Sequence, residues 1–170
     1  MSDQILNRVA NSSIVSFDLE TIYPKGERMI FDIKNNLYEE TILREKEFRG
    51  FIKEHNWSAY QGKNVAITCS VDAIVPTWAF MLIASKLTPF ANHITFGTLP
   101  ELEKELFNMA IANLKIEEYR DAKVVVKGCS GNAIPTSAYV EIVRILQPVT
   151  ASLMFGEPCS TVPVYKRAKA

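Results

Sequence analysis

Apolar and polar positions along the chain alternate between two kinds of run. Val65-Ala66-Ile67-Thr68-Cys69 and Lys123-Val124-Val125-Val126-Lys127 are short and rich in β-branched residues, the signature of a strand. Each is followed by a loop ending in Pro76-Thr77 or Pro135-Thr136. Proline suits the first helical turn, where its missing N–H costs nothing. Apolar residues at helical spacing then predict a helix to about Leu87 or Leu146, stopped before Pro89 or Pro148. Ile94-Thr95-Phe96 and Leu153-Met154-Phe155 read as further strands, each closed by a glycine. Each stretch is therefore a βαβ unit, whose crossover is right-handed almost without exception.

The likeness extends to individual residues. Shifting the chain by 59 positions aligns 57–97 with 116–156 without a gap, and ten pairs are identical. They include Tyr60 with Tyr119, Pro76-Thr77 with Pro135-Thr136, Leu87 with Leu146, and Phe96-Gly97 with Phe155-Gly156. Prolines, glycines and aromatics coinciding in one register mark an internal repeat. Thr98-Leu99-Pro100-Glu101 and then a helix to about Asn113 join the copies. Thr98 and Glu101 have capping-box spacing, and Leu102, Leu106, Met109 and Ala110 form its apolar stripe.

The pattern predicts a single α/β domain over 1–170, with repeats 57–97 and 116–156 and an N-terminal extension 1–56. Pseudo-twofold symmetry suggests a mainly parallel sheet of strand order 2-1-3-4, with the first strands of the two repeats adjacent at its centre. In the extension, Ser12 to Leu19 and Arg28 to Lys34 read as strands about the Tyr23-Pro24-Lys25-Gly26 turn, in one reading a hairpin. Asn35 to about Glu54 reads as a helix with Tyr38, Ile42, Phe48 and Ile52 on one face. The first repeat helix, 76–87, is apolar nearly all round, so something must cover it: the extension, or a homodimer partner.

Composition narrows the function. The 170 residues carry 19 basic and 19 acidic side chains, and phosphate binding over a whole surface needs an excess of positive charge, so no nucleic-acid partner is expected. The N-terminus lacks a basic start followed by an apolar run, and no apolar stretch approaches the roughly 20 residues that span a bilayer. A cytoplasmic protein with no membrane partner is expected, its three cysteines reduced.

Ligands of doubly wound sheets bind outside the carboxyl ends of the strands. Cys69, Cys129 and Cys159 are all predicted there, each followed by serine, and the first two precede helix N-termini. Helix N-termini favour the thiolate, both nucleophile and metal ligand. Three thiolates with Asp72 or Glu157 would form a four-ligand set for zinc or an iron–sulfur centre. The plain alternative is packing, since cysteine is often a buried hydrophobe. The repeat does not align the cysteines, and no C-x-x-C pair exists. Ser130, Gly131 and Asn132 lie in a loop before a helix that could cradle an anion through backbone N–H groups. His93 precedes a strand and His55 ends a helix, so a Cys-His catalytic pair is disfavoured.

The segments Phe17-Asp18-Leu19-Glu20, Leu43-Arg44-Glu45-Lys46, Trp57 to Lys63, Ile74 to Ala79 and Gly156 to Pro163 resemble a bacterial family catalogued as a domain of unknown function (family 2480). The resemblance covers nearly the whole chain, implies no established activity and supplies no catalytic residues. It does suggest genes near those of iron–sulfur assembly. The leading expectation is therefore a thiol or metal site tied to iron–sulfur or redox housekeeping. Two alternatives stand beside it. One is a non-catalytic interaction module acting through helix 76–87 as a homodimer or with a partner. The other is a small-molecule enzyme with an anion-binding loop.

Overall fold

The structure, a computed structural model, describes residues 14–127, 134–157 and 159–168. Its strands are β1 (Ile14–Asp18), β2 (Arg28–Asp32), β3 (Asn64–Thr68), β4 (His93–Phe96), β5 (Lys123–Lys127), β6 (Ser152–Glu157) and β7 (Ser160–Lys166). Its α-helices are α1 (Glu45–Glu54), α2 (Thr77–Leu87), α3 (Leu99–Ala112) and α4 (Thr136–Leu146). The chain divides into two compact units, one of residues up to Pro24 and from Phe107 onward, the other Lys25–Leu106, so α3 contributes to both.

In the Lys25–Leu106 unit, the parallel sheet runs β2-β3-β4. Every residue of Asn64–Ile67 is buried because both faces of β3 are covered. Val65 and Ile67 pack with Ala79, Ile83 and Leu87 of α2 and with Phe48 and Ile52 of α1. On the other face, Ala66 packs with Leu102 and Leu106 of α3. Burying a Leu or Ile side chain is worth about 1.5–3 kcal/mol, so these interlocked residues hold the unit together. The extension covers part of α2: Phe48 meets Trp78 edge-on at 6.0 Å and the Arg49 guanidinium lies 5.0 Å from that indole, whereas Met81 is exposed.

In the other unit, the sheet runs β1-β5-β6-β7, parallel except for β7. Val124, Val126 and Leu153 pack with Ala138, Ile142 and Leu146 of α4, and with Phe17, Leu19, Phe107 and Ile111. Ser160–Lys166 carries no clear sequence signal because Pro163 interrupts it. The segment is tolerated as an edge strand, where a missing N–H faces away from the ladder.

The expected single sheet of order 2-1-3-4 is not what forms. β3 pairs with β2 and β4, β5 pairs with β1 and β6, and the first strands of the two repeats belong to separate sheets. The N-terminal strands are the reason, because each occupies the position that symmetry reserved for the other repeat. They are therefore no hairpin: β1 and β2 enter different sheets, each parallel to its neighbour. Both follow one local pattern. The Asp18 carboxylate accepts the Glu20 N–H at 2.9 Å, Asp32 accepts the Lys34 N–H at 3.1 Å, and each closes a 3₁₀ turn after its strand.

The helix expected from Asn35 begins only at Glu45. Glu39 and Glu40 take positive φ, 49° and 56°, which no helix accommodates. The capping expectation for α3 holds in part: the Thr98 N–H and hydroxyl both donate to Glu101, at 2.7 and 2.9 Å.

Element bounds in the two units correspond closely. Adding 59 to the 3₁₀ turn Trp57–Tyr60, to β3 and to α2 gives Ile116–Tyr119, β5 and α4. The matched Gly97 and Gly156 both take positive φ, 139° and 118°, a region essentially closed to other residues.

Candidate functional site

Two carboxyl edges, one per sheet, replace the single edge on which the cysteines were expected to gather. In the Lys25–Leu106 unit, Asp32 ends β2 and receives the Ser70 N–H at 3.1 Å in addition to the Lys34 N–H. Burial pushes the Asp32 carboxyl up, but the Ser70 hydroxyl, the two N–H groups and nearby Lys34 outweigh it and hold the group below its ordinary value. Asp32 therefore pins the loop that leaves β3. In that loop Cys69 is half-buried, packs against the core, and its thiol donates to the Val71 carbonyl at 3.3 Å. Asp72 is exposed a few residues on.

In the other unit, Glu157 ends β6 and pairs with Lys127, the last residue of β5, at 2.8 Å. The Glu157 carboxylate, with Asp18 and Cys159 nearby, holds the Lys127 ammonium above its ordinary value against the opposing effect of desolvation. Cys159 is exposed in the turn between β6 and β7. Cys129, Ser130, Gly131 and Asn132 lie outside the described residues. Cys69 and Cys159 thus leave different sheets in different units, and no one sheet edge gathers them. Among the described residues, no group of three or more His, Cys, Asp and Glu side chains is placed to hold a metal ion.

The histidines are accounted for within the Lys25–Leu106 unit. His55 is set among Phe31, Phe51 and Trp57, its Nε2 3.3 Å from the Tyr60 hydroxyl, and burial holds it below the ordinary imidazole value. His93 Nε2 lies 3.0 Å from the Thr95 hydroxyl and 3.4 Å from Glu105.

The feature that sequence reasoning did not anticipate is an apolar cleft of about 700 Å³ in the four-stranded unit. Tyr139, Val140 and Val143 reach it from α4, Leu153, Met154 and Phe155 from β6, and Val164 from β7. Tyr139 meets Phe155 edge-on at 5.7 Å. A register shift between Leu153 and Met154 sets Met154 opposite Pro163. Val140 and Val164 are exposed although both are aliphatic. Among the described lining residues none is charged, and the polar groups are the Thr136 and Tyr139 hydroxyls. Val140 beside the Glu141–Arg144 pair was the available signal, an aliphatic residue on an otherwise polar helix face. The Phe80–Phe96 pair, edge-on at 5.1 Å, holds the matching position in the other unit, beside exposed Met81.

Among the described residues no helix is long and apolar enough to cross a membrane. A family model described as "Protein of unknown function (DUF2480)" matches residues 3–167. No curated protein and no solved structure matches the chain.

Proposed function

The chain belongs to the DUF2480 family, whose description names no activity, and we propose from the geometry that it is a non-catalytic binding module. Its ligand is a neutral, mainly apolar small molecule, held in the cleft of α4, β6 and β7. The observation that carries this reading is the cleft itself. Its volume of about 700 Å³ falls in the range of roughly 300–1,000 Å³ usual for small-molecule sites. The described lining supplies apolar surface and two hydroxyls, which suits burial and orientation. It offers no carboxylate, imidazole, ammonium or thiol for proton transfer or nucleophilic attack. Burying about 200 Å² of apolar ligand surface is worth about 5 kcal/mol at 25 cal/mol/Å². That gain alone corresponds to a Kd of about 0.2 mM, and the cost of association weakens it, so affinity in the millimolar range is expected.

The corresponding bounds support a duplicated unit with an added front strand: β1 with β5-α4-β6, and β2 with β3-α2-β4. Among the described residues the β5-α4-β6 copy carries a further strand, β7, and there the aromatic pair borders the cleft. Binding thus shifts from helix 76–87, the interaction surface expected from sequence, to its counterpart α4.

Titration of the full chain with Nile red, a neutral apolar dye, tests the reading. Saturable binding is expected, weakened at least tenfold by Val143→Phe, which fills the cleft, and unchanged by Met81→Ser. Non-saturable binding, or equal binding by Val143→Phe, would refute it.

A further inference from the structure

Strand β4 is the outer strand of the three-stranded sheet, and among the described residues no strand pairs with its far side. Its counterpart β6 has such a neighbour. There β7 runs antiparallel, from Ser152 opposite Lys166 to Glu157 opposite Ser160. The 59-residue correspondence therefore provides a template for what β4 lacks.

Phe96 stands where Phe155 stands in the other unit, and Phe155 lies opposite Val162 of β7. Among the described residues Phe96 has no such cover, and it is 69% exposed, its ring edge-on to Phe80. His93 stands where Ser152 stands, and Ser152 lies opposite the basic Lys166. Beside His93 is an acidic group: Glu105 Oε1 is 3.4 Å from the imidazole, and its other oxygen accepts the Thr95 hydroxyl at 2.7 Å. An antiparallel strand with the β7 pattern would set an aliphatic side chain over Phe96 and a basic one beside Glu105.

The geometry points to β4 as a strand-addition site for an extended peptide of a partner protein. The peptide carries a β-branched residue to cover Phe96 and, toward its carboxyl end, a lysine or arginine to pair with Glu105. Main-chain hydrogen bonds along the open edge supply affinity, and the alternate side chains supply selectivity. A second copy of this chain fits less well. Antiparallel pairing of two β4 strands supplies no basic residue to either Glu105, and an edge of four residues is short enough to resist self-association.

The test is an NMR titration of the ¹⁵N-labelled full chain with the heptapeptide Ser-Thr-Val-Pro-Val-Tyr-Lys, the sequence of β7. Saturable shifts and slowed hydrogen exchange are expected at the amides of 93–97. Phe96→Ala should weaken binding roughly tenfold, as loss of a central apolar anchor does. Glu105→Gln keeps the acceptor for Thr95 and removes the charge. It should weaken binding about threefold, the worth of an exposed ion pair, and should not affect a peptide whose lysine is replaced by methionine. If Phe96→Ala does not fold, the Glu105→Gln comparison decides. Shifts centred on 152–167, which would mean exchange with the chain's own β7, would overturn the proposal. So would absence of saturation, indifference to Glu105→Gln, or self-association of the free chain through β4. Val143→Phe should leave this site unaffected, so failure here is separable from failure of the cleft reading.

Discussion

Replacing Gly156 with alanine should damage the cleft from a position outside its lining. Gly156 takes φ 118°, where an alanine is strained by about 1–3 kcal/mol. Its Cβ would also lie 2.6 Å from the Ser160 carbonyl oxygen, a backbone atom of the paired strand that no rotamer change can remove. Relieving that contact moves β7 away from β6 and adds about 1–3 kcal/mol, the usual cost of overpacking. The combined loss of about 2–6 kcal/mol should lower Tm by roughly 4–24 °C and weaken Nile red binding, because Val164 and Phe155 face the cleft from these two strands. Gly97→Ala is the matched control. Its Cβ would meet the Glu101 carboxylate at 2.5 Å, which can swing away at the cost of its Thr98 hydrogen bonds, and Glu101 Cβ at 3.1 Å, which must give by only a few tenths of an ångström. This variant should lose less stability and keep the dye. The assays are thermal or urea unfolding and dye titration of both variants. The reasoning is refuted if Gly156→Ala unfolds within about 0.5 kcal/mol of the parent and binds dye equally, or if Gly97→Ala loses more.

Two further outcomes follow from the described geometry. Burial holds His55 below its ordinary value of 6.5, so the unfolded chain takes up a proton there more readily than the folded one. That group costs nothing above the unfolded pKa, and stability is lost as pH falls below about 6.5 toward the folded pKa. The slope of Tm between pH 7.5 and 5 should flatten in His55→Gln, and an unchanged slope would exclude His55 as its source. In a Cys129→Ser background, Cys159, exposed in its turn, should react with a thiol-specific disulfide reagent well before Cys69, which is half-buried and donates to Val71. Equal rates, or two silent thiols, would contradict these placements.

What the sequence by itself determined were the features decided within a few residues of each position. Proline before α2 and α4, glycine after Phe96 and Phe155, and the Thr98–Glu101 pairing all act locally. They set where elements start and stop, and the spacing of 59 reappears in those bounds. Of the expected stripe of Tyr38, Ile42, Phe48 and Ile52, the last two are buried on α1, whereas Tyr38 and Ile42 precede that helix and are exposed. Strand partnership was not. Backbone donors and acceptors are the same in every strand, so the pairing of β3 with β2 and of β5 with β1 depends on which packed core each strand completes. That tertiary choice placed Cys69 and Cys159 after strands of different sheets. Among the described residues it also left β4 without the outer neighbour that β6 has in the proline-interrupted β7, and β7 helps line the cleft.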